Sequence, residues 1–305
     1  MTLPDINPVI FQIGPVALRW YALAYVAGIA LGWYYLTQLI KRETLWPGNR
    51  APVTNENLED LIIWMALGVI LGGRIGYVVF YDLAPILRNP LQFFKVWEGG
   101  MSFHGGFIGV CIAGVLYARK HKISPWTLGD MLSIAAPIGL FFGRLANFVN
   151  GELWGRTTDV PWGIVFCNKY TAVDAYGRCY AGYLPRHPSQ LYEAALEGLL
   201  LFGVIFVLMH TYKKLKQPGL IMGVFIAGYG LSRIVVETVR NPDAQMYEWL
   251  KGPITMGMIL SLPMVIAGAW FIWRALKGKT QPTGVWVEPE PSVEKPETKA
   301  PDGLA

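Results

Sequence analysis

WYALAYVAGIALGWYYLTQLI, residues Trp20 to Ile40, runs for 21 positions without one charged side chain. A bilayer core about 30 Å thick takes roughly 20 apolar residues as a helix, so this stretch is long enough to cross one. Six further stretches have the same character or come close to it. Residues 61–80 carry one charge, Arg74, and residues 131–149 carry one, Arg144. Residues 103–118 are shorter and hold only His104; residues 191–212 hold Glu193 and Glu197; residues 220–239 hold Arg233 and Glu237; residues 254–273 hold none. Backbone groups must be satisfied within the segment in lipid, so these are helices. The alternating ten-residue segments of a β-barrel are not visible. The expected fold is an all-α integral membrane protein, a bundle of seven transmembrane helices.

Composition supports this. Of 305 residues, 53% are hydrophobic and 15% charged, against about 25% charged in an average soluble domain. Such a chain cannot clothe a soluble surface, which excludes an ordinary soluble enzyme, a disordered protein and, despite the net charge of +5, a nucleic-acid binder.

Charge placement orients the bundle. Lys41, Arg42 and Arg50, then Arg119, Lys120 and Lys122, then Lys213, Lys214 and Lys216, then Arg274, Lys277 and Lys279 form compact clusters after the first, third, fifth and seventh spans. Basic clusters stay cytoplasmic, so the N-terminus is expected outside and the C-terminus inside, with no cleaved signal peptide. Residues 151–188, rich in Trp and Tyr, read as a small cap on the outer face within one membrane domain, residues 1–280. Residues 281–305 hold five prolines and seven charges and read as a disordered cytoplasmic tail. Cys111 reads as a small buried hydrophobe of the third span. Cys167 and Cys179 both fall in the cap, where a disulfide is one hypothesis. No Cys/His spacing resembles a zinc site.

Ionisable residues inside a membrane are costly and mark function. In this topology Tyr21, Arg74, His104, Arg144, Arg233 and Glu237 all fall in the outer half, from five different spans. Tyr229, Arg233, Glu237 and Arg240 follow one helix face, and Arg233 can pair with Glu237 at i, i+4. Arg144 has no acid beside it on its own span, and a guanidinium in that position suits a phosphate, which it binds bidentately. In an outer leaflet the available phosphate is a lipid headgroup. His104 is flanked by Gly105 and Gly106 and can accept a proton. The glycines of Gly72-Gly73-Arg74-Ile75-Gly76 read as helix packing, with Arg74 as a second headgroup contact. His187 reads as structural.

The run Gly143-Arg144-Leu145-Ala146-Asn147-Phe148-Val149-Asn150-Gly151-Glu152 resembles the signature of the phosphatidylglycerol–prolipoprotein diacylglyceryl transferases, bacterial inner-membrane enzymes. The resemblance extends over about residues 5–275 and includes Met101 to Gly106, Leu184 to Glu193 and Tyr229 to Arg240. It implies seven spans, a site facing the periplasm, and transfer of the sn-1,2-diacylglyceryl group of phosphatidylglycerol to the lipobox cysteine of a prolipoprotein signal peptide. The implied products are a thioether and sn-glycerol 1-phosphate, with no metal or soluble cofactor. On that basis Arg144 and Arg233 are expected to hold the phosphate, with Glu237 orienting Arg233. Asn147, Glu152, Gly155, Tyr229, Arg74 and Arg240 complete the expected lipid site. His104 is the expected base with Tyr21 as its hydrogen-bond partner; Glu152, Tyr21 or the arginine field are the alternatives. A transporter, an intramembrane protease and a CDP-alcohol phospholipid synthase lack, respectively, the repeats, the catalytic arrangement and the paired-aspartate motif they would need here.

Overall fold

Hydroxyl side chains start three of the long helices. In the computed structural model, Thr54 accepts the amide of Asn57 at 3.3 Å, Ser102 that of Gly105 at 3.2 Å, and Thr255 that of Met258 at 3.4 Å. Each satisfies an N–H that the first helical turn leaves unpaired. The structure describes residues 1–14, 16–95, 99–168, 170, 173–174, 176–241 and 254–278. The expected tail, 281–305, lies outside the described residues.

The helices are α1 (Trp20–Ile40), α2 (Asn55–Tyr81), α3 (Leu83–Arg88), α4 (Phe103–Lys120), α5 (Pro125–Val149), α6 (Ser189–Glu193), α7 (Leu201–His210), α8 (Leu220–Glu237) and α9 (Met256–Leu276). A π-helical turn, Ala194–Leu200, joins α6 to α7, so that Ser189–His210 acts as one long element. Among the described residues, six helices are long and apolar enough to cross a membrane: α1, α2, α5, the α6–α7 element, α8 and α9. The protein is therefore a mostly helical, multi-pass membrane protein. One element departs from the all-α expectation. Strands β1 (Val9–Ile13) and β2 (Val16–Arg19) form an antiparallel hairpin just before α1, pairing Phe11 with Leu18 and Ile13 with Val16. Its alternation covers too few residues to stand out beside the apolar run that follows.

Small residues set the helix contacts. A Cβ on Gly76 would lie 2.7 Å from the Cα of Gly105, and one on Gly109 would strike the carbonyl oxygen of Gly68. The glycines of α2 thus serve packing against α4, as their spacing suggested. Gly28 of α1 approaches Gly139 of α5 in the same way, and Gly223 of α8 approaches Gly268 of α9.

The main apolar core gathers the end of α1, the start of α2, the end of α4, the start of α5, the end of α7 and the start of α8, through Leu39, Trp46, Leu58, Tyr117, Leu128, Met131, Ile205, Met209 and Ile221. Asp130 is buried there and accepts the amides of Gly219 (2.7 Å) and Met222 (2.8 Å), capping α8 from a neighbouring helix. The opposite helix ends are left for polar groups. Cys111 faces outward from α4 rather than into this core, because Gly105 and Gly109 take the face turned to α2.

The described residues between 151 and 188 fold over a second, smaller apolar cluster of Leu3, Ile164, Phe166 and Ala181. The chain's first residues join it: the Leu3 amide donates to Val165 (2.9 Å) and the Val165 amide to Met1 (2.8 Å). Cys167 and Cys179 are disulfide-bonded, as hypothesised.

Candidate active site

Gly151 and Leu153, with φ of 64° and 60°, turn the chain sharply as α5 ends. That turn brings the residues after α5 against the start of α6, where Ser189 Oγ donates to the carbonyl of Leu153 at 2.8 Å. It also leaves the last turns of α5 facing the π-helical turn. An α-helix advances 100° per residue; the extra residue per turn in a π segment shifts the faces that follow it. Glu193, just before the π segment, and Glu197, within it, both pair with arginines of the neighbouring helices: Glu193 with Arg144 and Arg233, Glu197 with Arg144.

The result is a buried cluster of six charges. Arg144 donates from Nε (3.1 Å) and Nη2 (3.0 Å) to Glu197 Oε2, and its Nη1 lies 3.1 Å from Glu193 Oε2. Arg233 donates from Nη1 to Glu193 Oε1 at 2.6 Å and pairs through Nη2 with Glu237 at 3.2 Å. Arg240 donates to the same Glu193 Oε1 at 2.9 Å. Three guanidiniums and three carboxylates balance. Glu193 and Glu197 are fully buried, whereas the Arg144 and Arg233 side chains keep 15% and 18% exposure. A guest arriving from the open side meets cations first.

Arg144 has no acid beside it on its own span, as read, but it is not left unpaired. Its acids come from the next element along the chain, at a sequence distance a single-helix pattern cannot show. Both carboxylates went unassigned in the sequence, although two acids within an apolar span were a usable signal. The Arg233–Glu237 pair was legible and is present. Arg240 joins the cluster through one Nη1 donor to Glu193. Five N–H donors belong to each guanidinium, so after these contacts Arg144 and Arg233 still hold donors for a ligand. Tyr229 lies within electrostatic reach of Arg144, Arg233, Glu193 and Glu197.

Next to the cluster, Glu152 Oε1 accepts from Asn147 (2.9 Å) and Asn150 (3.2 Å). Tyr21 bonds Tyr25 at 3.2 Å and has Asn147 and Glu152 as its other polar neighbours. The expected Tyr21–His104 hydrogen bond is not formed. His104 is exposed at the start of α4, edge-on to Phe103 with centroids 5.7 Å apart, and bonds no other described residue. α4 packs against α2 through its glycine face.

Arg74 departs furthest from expectation. It is 6% exposed and donates to the carbonyls of Gln92 (2.5 Å), Phe93 (2.8 Å), Gly99 (2.9 Å) and Gly100 (3.1 Å). It clamps the backbone leading into α4 and is not an open headgroup contact. Gly155 likewise has a packing reason: a Cβ there would lie 2.6 Å from the Val239 carbonyl oxygen and 2.7 Å from His187 Cβ. His187 bonds the Tyr192 hydroxyl at 3.2 Å, and burial lowers its pKa below the ordinary histidine value. Among the described residues no group of three or more His, Cys, Asp or Glu is placed to hold a metal ion.

A family model described as prolipoprotein diacylglyceryl transferase matches residues 8–274. The chain belongs to that family. Three relatives, each named phosphatidylglycerol–prolipoprotein diacylglyceryl transferase, are close to it throughout. The one from Caulobacter sp. (strain K31) is 52% identical over 92% of this chain and 97% of its own length. That from Phenylobacterium zucineum (strain HLK1) is 51% identical over 92% and 97%. That from Rhizobium leguminosarum bv. trifolii (strain WSM2304) is 53% identical over 90% and 94%. As a diacylglyceryl transferase family member, the chain is placed among transferases, and the buried charges occupy the span ends nearest the quoted signature.

Proposed function

We propose that the protein transfers the sn-1,2-diacylglyceryl group of phosphatidylglycerol to the lipobox cysteine thiol of prolipoprotein signal peptides. The observation that carries this is the Arg144–Arg233 pair, joined through Glu193 and retaining unengaged N–H donors at one end of the bundle. The sulfur attacks glycerol C3; the S–C bond forms as the C3–O bond breaks. The electron pair goes to the phosphate oxygen, giving sn-glycerol 1-phosphate. Charge accumulating on that oxygen meets guanidiniums already held in place, which favours the transition state over the ground state. The thiol proton goes to His104, whose ring packs against Phe103 and makes no hydrogen bond to another described residue. Glu152 is the second candidate acceptor, because Asn147 and Asn150 hold one of its oxygens and leave the other outside the hydrogen bonds described. The mechanism uses no metal or soluble cofactor; its partners are the lipid donor, the peptide acceptor and the surrounding membrane lipids, and no nucleic acid.

We assign α4 as the seventh span: 18 residues give about 27 Å of helix, near the bilayer core, and its whole glycine face is used against α2. With seven spans the basic clusters place the N-terminus in the periplasm and the C-terminus in the cytoplasm of the bacterial inner membrane. Residues 1–280 then form one membrane domain, the 151–188 cap is periplasmic, and residues 281–305 are a cytoplasmic tail. The test is purified protein with phosphatidylglycerol and a lipobox peptide: thioether-linked diacylglycerol and stoichiometric glycerol phosphate are expected. A peptide that stays unmodified, or is modified equally with phosphatidylethanolamine as sole lipid, rejects the assignment.

A further inference from the structure

The leaving group of this reaction is more highly charged than the substrate it comes from. A phosphodiester lipid carries one negative charge, whereas a phosphate monoester, with a second pKa near 6, carries between one and two at neutral pH. An uncompensated pair of arginines would hold product more firmly than substrate. Glu197 is placed against that outcome. It is fully buried, and its Oε2 takes both the Nε and Nη2 donors of Arg144. Its Oε1 is buried with neither a hydrogen bond nor an ion pair among the described residues. Glu193, by contrast, ties three arginines together. Glu197 therefore bonds one partner, from one oxygen, and that partner is the proposed phosphate-binding guanidinium. The other charged and titratable groups facing it are Glu193, Arg233 on α8 and Tyr229 on α8.

We propose that Glu197 is a positioning residue that sets how tightly the site holds phosphate. It fixes the plane of the Arg144 guanidinium and opposes the anion electrostatically, so that the more charged product is released. This inference rests on the proposed transfer reaction. It assigns a role distinct from those of Arg144 and Glu237, because the effect of removing the charge runs opposite to losing a contact.

The experiment compares wild type with Glu197→Gln and Glu197→Asp, using phosphatidylglycerol vesicles, a lipobox peptide and added sn-glycerol 1-phosphate. Glutamine keeps an acceptor for Arg144 but removes the charge. Glu197→Gln should show product inhibition by sn-glycerol 1-phosphate strengthened about tenfold, the scale of one close charge pair, together with a lower KM for phosphatidylglycerol and a lower kcat. Glu197→Asp should return product inhibition toward wild type. A purely structural carboxylate would instead raise KM or lower the folded yield, and leave product inhibition weaker or unchanged, which overturns the proposal. Should Glu197→Gln fail to fold, wild type alone decides. The monoester should inhibit no better than the matching diester sn-glycerol 1-(methyl phosphate), and a tenfold preference for the monoester overturns it. If wild type forms no thioether at all, the transfer reaction fails; if it turns over but these comparisons come out reversed, only the role of Glu197 does.

Discussion

Arg144 donates two N–H groups to Glu197 and forms an ion pair with Glu193, both carboxylates being buried, and this changes what its replacement measures. Deleting it leaves Glu197 with no hydrogen-bond partner among the described residues, and stranding a buried charge costs about 3–5 kcal/mol. Arg144→Ala is therefore expected to lose stability as well as activity. Arg144→Lys isolates the chemistry: the positive charge stays, but an ammonium cannot keep the two-donor grip on Glu197 Oε2 while also offering donors to a phosphate. We expect kcat/KM to fall by roughly two orders of magnitude with the thermal midpoint little changed; steady-state kinetics beside a melting curve will show whether the two separate. Arg74 calls for a different readout. Its four carbonyl contacts hold Gln92, Phe93, Gly99 and Gly100, so Arg74→Gln should open the backbone there to limited proteolysis and slow turnover through the displaced start of α4. Unchanged cleavage would show that the segment does not depend on this clamp.

Elements meet here through glycine, and the α2–α4 pair depends on it most. A Cβ at Gly109 would strike the carbonyl oxygen of Gly68, and backbone cannot move aside as a flexible side chain can. Gly109→Val should force the two helices apart and lower the melting temperature by several degrees, the size expected for a loss of about 1–3 kcal/mol by overpacking. Gly203 in α7 supplies the control, since a Cβ there meets nothing within 4 Å. Gly203→Ala should be neutral or slightly stabilising, because alanine is the better helix former. Equal melting shifts in the two variants would remove close packing as the explanation. At this scale the π-helical turn matters as well. Without its shift Glu193 and Glu197 would keep ordinary i, i+4 spacing on one α-helical face, and local spacing alone does not say which neighbouring helix that face meets.

For the molecule as a whole, two ends do different work. The apolar core joins seven helix ends on one side, the end of α9 through Ala275 among them, while the other side carries the charge cluster and the described part of 151–188. The disulfide closes that segment locally, across a separation of 12 residues. Its loss should cost about 2–3 kcal/mol by loop entropy, confined to the segment and to the N-terminal residues paired with it. Replacing Cys167 and Cys179 together by Ser should thus raise hydrogen exchange around Ile164 and Phe166 and leave the core around Met131 and Ile205 as slow as before. Exchange rising equally in both regions would mean that the two clusters unfold as one unit.

Span positions were legible in the sequence because hydrophobicity is a local sum: α1 falls at Trp20–Ile40 as written, and the glycines at positions 72, 73 and 76 announced a close helix contact. The i, i+4 pairing of Arg233 with Glu237 was legible for the same reason, since helical geometry relates near neighbours. The partners of Arg144 and Arg74 were not. Glu197 lies 53 residues from Arg144 along the chain, and the carbonyls that hold Arg74 lie 18 to 26 residues away. Nor does a buried guanidinium advertise in its own neighbourhood whether it will bind a ligand, a carboxylate or backbone. Tertiary packing alone made that choice, because a charge inside a low-dielectric bundle takes whichever partner the helix crossings bring within about 3 Å.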